Sequence, residues 1–216
     1  MKEKETLNKG TDFQIILPET VKENLLLPDP ILLQLYQDKQ DRVIWMLDEV
    51  DEEGYDWIST ILDFNRQDKG IPIEQRKPIK CIISNYGGSL EMAKMLSEMI
   101  SLSKTPVYGL AIGMCASAAS MVYLSCHKKF ATKNVTILLH KGSCGNVGGN
   151  YTEVQQFMKN YEKDIDQLSE FYKSHTGISP EEIDDKLSKG DWYIYIEEAL
   201  QKKLVDSVIT DIDLFY

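Results

Sequence analysis

The sequence predicts an α/β fold, a mostly parallel sheet assembled from repeated β-α units. Two observations lead there. Short apolar runs at residues 42–47, 79–84, 106–113 and 135–139 alternate with longer segments whose apolar side chains recur at helical spacing. The chain has 216 residues, 43% of them hydrophobic, which suits a single domain able to bury a substantial core.

Residues 1–40 open polar and then carry Leu25-Leu-Leu-Pro-Asp-Pro-Ile-Leu-Leu-Gln-Leu35, where Pro28 and Pro30 interrupt any continuous helix. They read as an arm leading into a domain at residues 41–216. The first unit pairs a strand at 42–47 with a helix at 55–64 whose apolar face is Trp57, Ile58, Ile61 and Leu62. A polar loop at 69–77 leads to the second unit, a strand at 79–84 and a helix at 88–101 with Leu90, Ala93, Met95, Leu96 and Met99 on its buried side. The third strand, 106–113, runs into an Ala- and Ser-rich helix at 116–126. Residues 135–139 then form another apolar strand before His140. Residues 142–149, Gly-Ser-Cys-Gly-Asn-Val-Gly-Gly, are too glycine-rich for an ordinary core element and read as a flexible strand or loop. The helix expected over residues 151–175 carries Val154, Phe157, Met158, Tyr161, Ile165, Leu168 and Tyr172 at helical spacing. That face either covers its own domain or projects behind the glycine-rich segment to meet another subunit.

Composition narrows the function. A formal net charge of -10, with basic residues scattered among acids, argues against a nucleic-acid surface. The apolar runs fall well short of the roughly twenty residues that span a bilayer. The N-terminal residues carry charges of both signs with no apolar signal core after them, so a cytoplasmic location is expected. Cys81, Cys115, Cys126 and Cys144 show no metal-ligand spacing and read as buried free thiols.

One junction carries candidate chemistry. In Ala111-Ile-Gly-Met-Cys-Ala-Ser-Ala-Ala-Ser120 a hydroxyl sits among small residues where a strand gives way to a helix. Small residues there serve close packing or, alternatively, let Ser117 project as a nucleophile toward helix N–H groups. Cys115, two residues earlier, has apolar neighbours that suit packing instead. A base is then needed, and His140 is the one histidine at a strand end; His127 and His175 lie in polar helix-terminal contexts. Asp191, in Lys189-Gly-Asp-Trp-Tyr-Ile194, is the candidate orienting acid, placed between a glycine turn and an aromatic segment able to bury it. Asn85-Tyr-Gly-Gly-Ser89 is either an ordinary strand-helix turn or a source of oxyanion-binding amides.

Together these residues resemble the Clp protease proteolytic subunit family over about residues 42–209. The resemblance includes Tyr86-Gly-Gly-Ser89, Gly113-Met-Cys-Ala-Ser-Ala-Ala-Ser120, Leu139-His140, the glycine-rich segment with its long helix, Gly190-Asp-Trp192, Glu197-Glu-Ala199 and Leu204-Val-Asp206. It implies a ClpP/crotonase-like fold with a projecting strand-helix handle at 142–176. It implies Ser117 as nucleophile, His140 as general base and acid, Asp191 as its orienting group, and the amides of Gly88 and Ala118 as oxyanion donors. It further implies a homo-oligomer of heptameric rings, single or double, enclosing the sites and hydrolysing unfolded polypeptides. No cofactor is implied in this chain, which has no Gly-x-x-x-x-Gly-Lys-Ser/Thr motif; ATP would be used by a separate AAA+ unfoldase. A non-catalytic ring subunit and a crotonase-fold acyl-CoA enzyme are the competing readings, and the complete Ser-His-Asp set disfavours both.

The chain departs from the family at several positions. Tyr86 replaces the usual Pro, Lys141-Gly142 stands where Gln-Pro commonly follows the histidine, and Gly190 stands where an Arg tied to ring-ring coupling is common. Lys80 and Ile82 replace aromatic residues of the ATPase-docking pocket. These changes touch assembly more than chemistry and fit a divergent homologue, such as one carried by a phage or mobile element.

Overall fold

The structure is a computed structural model and describes residues 29–145 and 147–215. Of the expected arm, residues 1–28 lie outside the described residues. Pro30 opens helix α1 (Pro30–Asp41) instead of breaking one. Proline suits a first helical turn because its missing N–H would have no partner there, and the Asp29 carboxylate accepts from the amide of Ile31 at 2.9 Å.

Residues 38–216 form a compact unit around one seven-stranded sheet. Its strands are β1 (Val43–Met46), β2 (Ile79–Asn85), β3 (Val107–Ala116), β4 (Lys128–Ala131), β5 (Thr136–Leu139), β6 (Trp192–Tyr195) and β7 (Ser207–Val208). The main path runs β1-β2-β3-β4-β7 with every neighbour parallel. Because β2 occupies one edge of β3, its other edge is shared: residues 108–111 pair with β4, and residues 114–116 pair with β5. Gly113, with φ +62, lies in the bend between the two halves. Strand β6 then pairs antiparallel with β5.

Strand alternation sorts the core into two faces. Ile44, Met46, Ile79, Cys81, Ile83, Val107, Ala111 and Cys115 join the large cluster, which also contains side chains of α2 (Gly54–Gln67), α3 (Leu90–Leu102) and α4 (Ala118–Leu124). Val43, Ile82, Leu110 and Phe215 form a smaller cluster on the other face. Three further helices complete the fold: α5 (Tyr151–His175), α6 (Pro180–Ser188) and α7 (Ile196–Gln201).

Helix faces depart in detail from the sequence reading. On α2 the buried residues are Trp57, Ile61 and Phe64, whereas Leu62 is exposed. On α3 Met92, Ala93, Leu96, Ser97 and Ile100 form the buried stripe, and Leu90 and Met95 are only partly covered. Both shifts reflect a rotation of the helix by less than one residue's arc, which periodicity alone does not fix. Strand β3 runs three residues beyond the expected end, so Ala116 is strand and α4 begins at Ala118. Strands β4 and β7 are short and mix polar with apolar residues, too few for the hydropathy pattern to mark them.

Helix α5 has the expected bounds and a capping box in which the Asn150 side chain accepts from the amides of Thr152 and Glu153. Only Leu168 and Tyr172 are buried on it, and Phe157 and Met158 stay exposed. The described part of the glycine-rich segment before it, residues 142–145 and 147–149, contains no helix or strand. Cys81, Cys115 and Cys126 are buried free thiols, but Cys144 in that segment is exposed, a correction that follows from its lying outside the core. Among the described residues no helix is long and apolar enough to cross a membrane.

A buried ion pair ties the start of β1 to the end of α2. Arg42 donates to both oxygens of Asp68 at 2.7 and 2.6 Å, and the Thr105 hydroxyl adds a third bond at 2.7 Å. Asp68 is 2% exposed. The hydrogen-bonded Arg42 guanidinium holds its carboxyl below the usual carboxylate range in spite of burial. Asp68→Ala is expected to cost about 3–5 kcal/mol, because it strands Arg42. A carboxyl whose folded pKa is depressed stabilises fully above its unfolded value, about 3.9, and loses that contribution as pH falls through the folded pKa. Urea titrations at neutral pH and below pH 3 should therefore show a wild-type advantage over the variant that shrinks in acid.

Candidate active site

Strand register brings the three sequence-picked side chains together. Ala116 pairs with Leu138, so Ser117 and His140 leave neighbouring parallel strands at the same end of the sheet. Leu139 pairs antiparallel with Trp192, which sets His140 opposite Asp191. Trp192 is buried, with the ammonium groups of Lys186 and Lys202 over its ring at 5.3 and 5.5 Å, and this anchors the start of β6.

Ser117 occupies a turn conformation, φ 55 and ψ −124, that is rare for a residue with a Cβ. Such a conformation costs about 1–3 kcal/mol and persists where surrounding bonds impose it. Here the Ser117 amide donates to the Leu138 carbonyl at 3.0 Å, and the Ser117 carbonyl accepts from the Met121 amide at 3.2 Å and the Ser120 hydroxyl at 2.6 Å. The turn throws the side chain off the helix start toward His140, whose Nε2 lies 2.5 Å from Ser117 Oγ. With Nε2 accepting from the hydroxyl, the neutral ring carries its proton on Nδ1. Asp191 Oδ1 is 3.5 Å from that nitrogen. The sequence reading expected aromatic neighbours to bury Asp191; its side chain is instead 54% exposed, because β6 alternates and sends Trp192 inward.

The glycine turn lies against this pair. Gly87 and Gly88 have φ +115 and +146, and Val50 forms an isolated parallel bridge with Gly88. The bridge uses the Gly87 carbonyl, which accepts from the Val50 amide at 2.8 Å, and the Ser89 amide, which donates to the Val50 carbonyl at 2.7 Å. Alternation along an extended chain therefore aims the Gly88 N–H away from Val50. The Ala118 amide is the first of α4 and has no carbonyl within its own helix to bind.

Two residues of the Asn85–Ser89 turn have roles that the sequence reading did not assign to them. A Cβ on Gly87 would stand 2.7 Å from Ser117 Cβ and 3.0 Å from the Ala116 carbonyl, so this position, beside the Gly88 amide, sets how closely the turn approaches the serine. Asn85 is buried; its Oδ1 accepts from the Gly87 amide at 2.8 Å, and its Nδ2 donates to the Asp48 carbonyl. The signal for Asn85 was present, a polar residue at the end of a buried strand, but its partner Asp48 is distant in sequence. Cys115 is fully buried, and burial raises its thiol pKa, which leaves it inert beside Ser117. Among the described residues no cluster of His, Cys, Asp and Glu could hold a metal ion.

The fold and site define an α/β protein with a hydroxyl and an imidazole at the C-terminal ends of neighbouring parallel strands and a carboxylate at the start of the antiparallel strand beside them. A family model described as Clp protease matches residues 32–211, and the chain belongs to that family as a divergent Clp-type peptidase. It is 27% identical over 135 residues to ATP-dependent Clp protease proteolytic subunit 2 of Treponema pallidum, covering 62% of this chain and 67% of that protein. It is also 27% identical over 139 residues to the ATP-dependent Clp protease proteolytic subunit of Paracoccus denitrificans, covering 63% and 69%. A mutant of ClpP1 from Listeria monocytogenes has the same fold, with a TM-score of 0.72 at 20% identity, over 85% of this chain and 99% of its own.

Gly87→Ala tests the close approach of the turn. The added methyl is expected to lower peptide hydrolysis by about 100-fold through displacement of Ser117, with the far-ultraviolet circular dichroism spectrum retained.

Proposed function

We propose that this chain is a serine endopeptidase subunit that hydrolyses peptide bonds of unfolded polypeptides. The contact between Ser117 Oγ and His140 Nε2, 2.5 Å on a strained turn, is the observation that carries the reading. Ser117 Oγ attacks the scissile carbonyl carbon while its proton passes to His140 Nε2. The resulting oxyanion accepts from the amides of Gly88 and Ala118. Collapse of the tetrahedral intermediate breaks the C–N bond, and His140 gives its proton to the leaving amine. Water then repeats the sequence on the acyl-enzyme and restores Ser117. Asp191 orients the ring and stabilises the imidazolium as it forms.

The assembly part of the proposal is a homo-oligomer of heptameric rings, single or double, with α5 and the glycine-rich segment between copies. Exposed Phe157 and Met158 on a helix with a single buried end support a covered α5 face. The two named relatives are each called ATP-dependent proteolytic subunits. By analogy a separate AAA+ unfoldase would supply substrate and consume the ATP, and Gly190 in place of the common Arg leaves ring pairing to other contacts. Four unpaired cysteines suit a reducing compartment, in keeping with the cytoplasm.

A fluorophosphonate probe should label Ser117 in the assembled protein, and Ser117→Ala should abolish both labelling and cleavage of a short fluorogenic peptide. Unlabelled wild-type protein would favour a non-catalytic ring subunit. Replacing the orienting Asp of a buried Ser-His-Asp triad by Asn lowers turnover by about ten-thousand-fold. At 3.5 Å and half exposed, Asp191 is expected to give a smaller loss, measured as kcat on the same peptide.

A further inference from the structure

Two hydroxyls are buried where apolar side chains would fill the same space. Ser120 is fully buried in α4, whose other members, Ala118, Ala119, Met121, Val122, Tyr123 and Leu124, are buried as well. Tyr172 is fully buried on α5, on the face it shares with Leu168. An alanine and a phenylalanine would pack there without taking an oxygen out of water. Buried hydroxyls are retained where they are hydrogen-bonded, so their partners show what they hold.

The partners converge on the two residues proposed to react. Ser120 Oγ donates to the Ser117 carbonyl at 2.6 Å. The Tyr172 hydroxyl lies beside the Ser120 side chain and donates to the His140 carbonyl at 3.5 Å. Two neighbouring buried hydroxyls thus reach the main chains of Ser117 and His140, separately from the contact between their side chains. Burial pushes the Tyr172 phenol up to about 12, so it stays protonated and able to donate throughout the neutral range.

We infer that Ser120 and Tyr172 are positioning residues for the reaction at Ser117, setting the separation and orientation of Ser117 and His140 through their main-chain carbonyls. This rests on the serine-peptidase reading. The physical reason lies in the turn: at φ 55 the Ser117 carbonyl accepts one helical bond, from the Met121 amide, and a second donor on it narrows the directions open to Oγ. The His140 peptide lies just beyond the end of β5 and gains from Tyr172 a contact on a different element.

The test compares the full chain with Ser120→Ala, Tyr172→Phe and the double variant. Each is assayed for kcat and KM on a short peptide, for the rate of Ser117 labelling by a fluorophosphonate, and for thermal unfolding. Each single variant is expected to lose about tenfold or more in kcat and labelling rate, with KM held within about twofold, because small misplacements act on the reacting geometry. The double variant should fall short of the product of the two single losses, since the two hydroxyls are neighbours that support one geometry. Ser120→Ala introduces a strong helix former into an alanine-rich helix, so the test stands even if Tyr172→Phe folds poorly. Wild-type rates in both singles, losses that multiply in the double, or losses that follow only the unfolded fraction would overturn the inference. Wild-type protein that does not label at Ser117 would instead overturn the serine-peptidase reading on which the inference rests.

Discussion

The site depends on how β3, β5 and β6 are registered. Three short pairings, Ala116 with Leu138, Ile137 with Ile194 and Leu139 with Trp192, decide whether Ser117, His140 and Asp191 meet. A slip of one residue along β5 would turn its side chains to the opposite face and remove His140 from the serine. The slip is opposed by burial, because Ile137 and Leu139 fill the main core from one face of β5 and Ile194 does so from β6. Hydrophobic alternation on two strands therefore maintains a polar geometry at their ends.

Close packing of α4 supports the same arrangement. Gly109 lets the end of α4 and the residues after it lie near β3, where an added Cβ would stand 2.9 Å from Cys126 Sγ and 3.0 Å from the Tyr123 ring. The strain at the Ser117 φ angle is sustained by this packing and by bonds to Leu138, Met121 and Ser120, none of which is made by the side chain proposed to react.

The two ends of the site differ in solvent contact. His140 is mostly covered, whereas Asp191 and the outer half of α5 face water. Electrostatic coupling between His140 and Asp191 is correspondingly weaker than it would be in a dry interior. Stability follows another logic, since the buried Arg42–Asp68 pair ties β1 to α2 at a point remote in sequence from Ser117 and His140.

Much of this was legible in the sequence. Alternating apolar runs determined the β-α order, the small-residue junction marked Ser117, the strand-end position marked His140, and the glycine pair marked the turn beside them. Asp191 was identified by its neighbours, but its exposure was not, because burial depends on which face of β6 turns inward. Asn85, Gly87, Ser120 and Tyr172 were visible only as a strand end, a turn glycine, a helical serine and a helix-face aromatic. Composition and periodicity report on contacts within a few residues. Tertiary structure alone decided that a serine on α4 and a tyrosine on α5 reach the carbonyls of the residues after β3 and β5, because those partners are brought together by sheet register and helix packing across long stretches of chain.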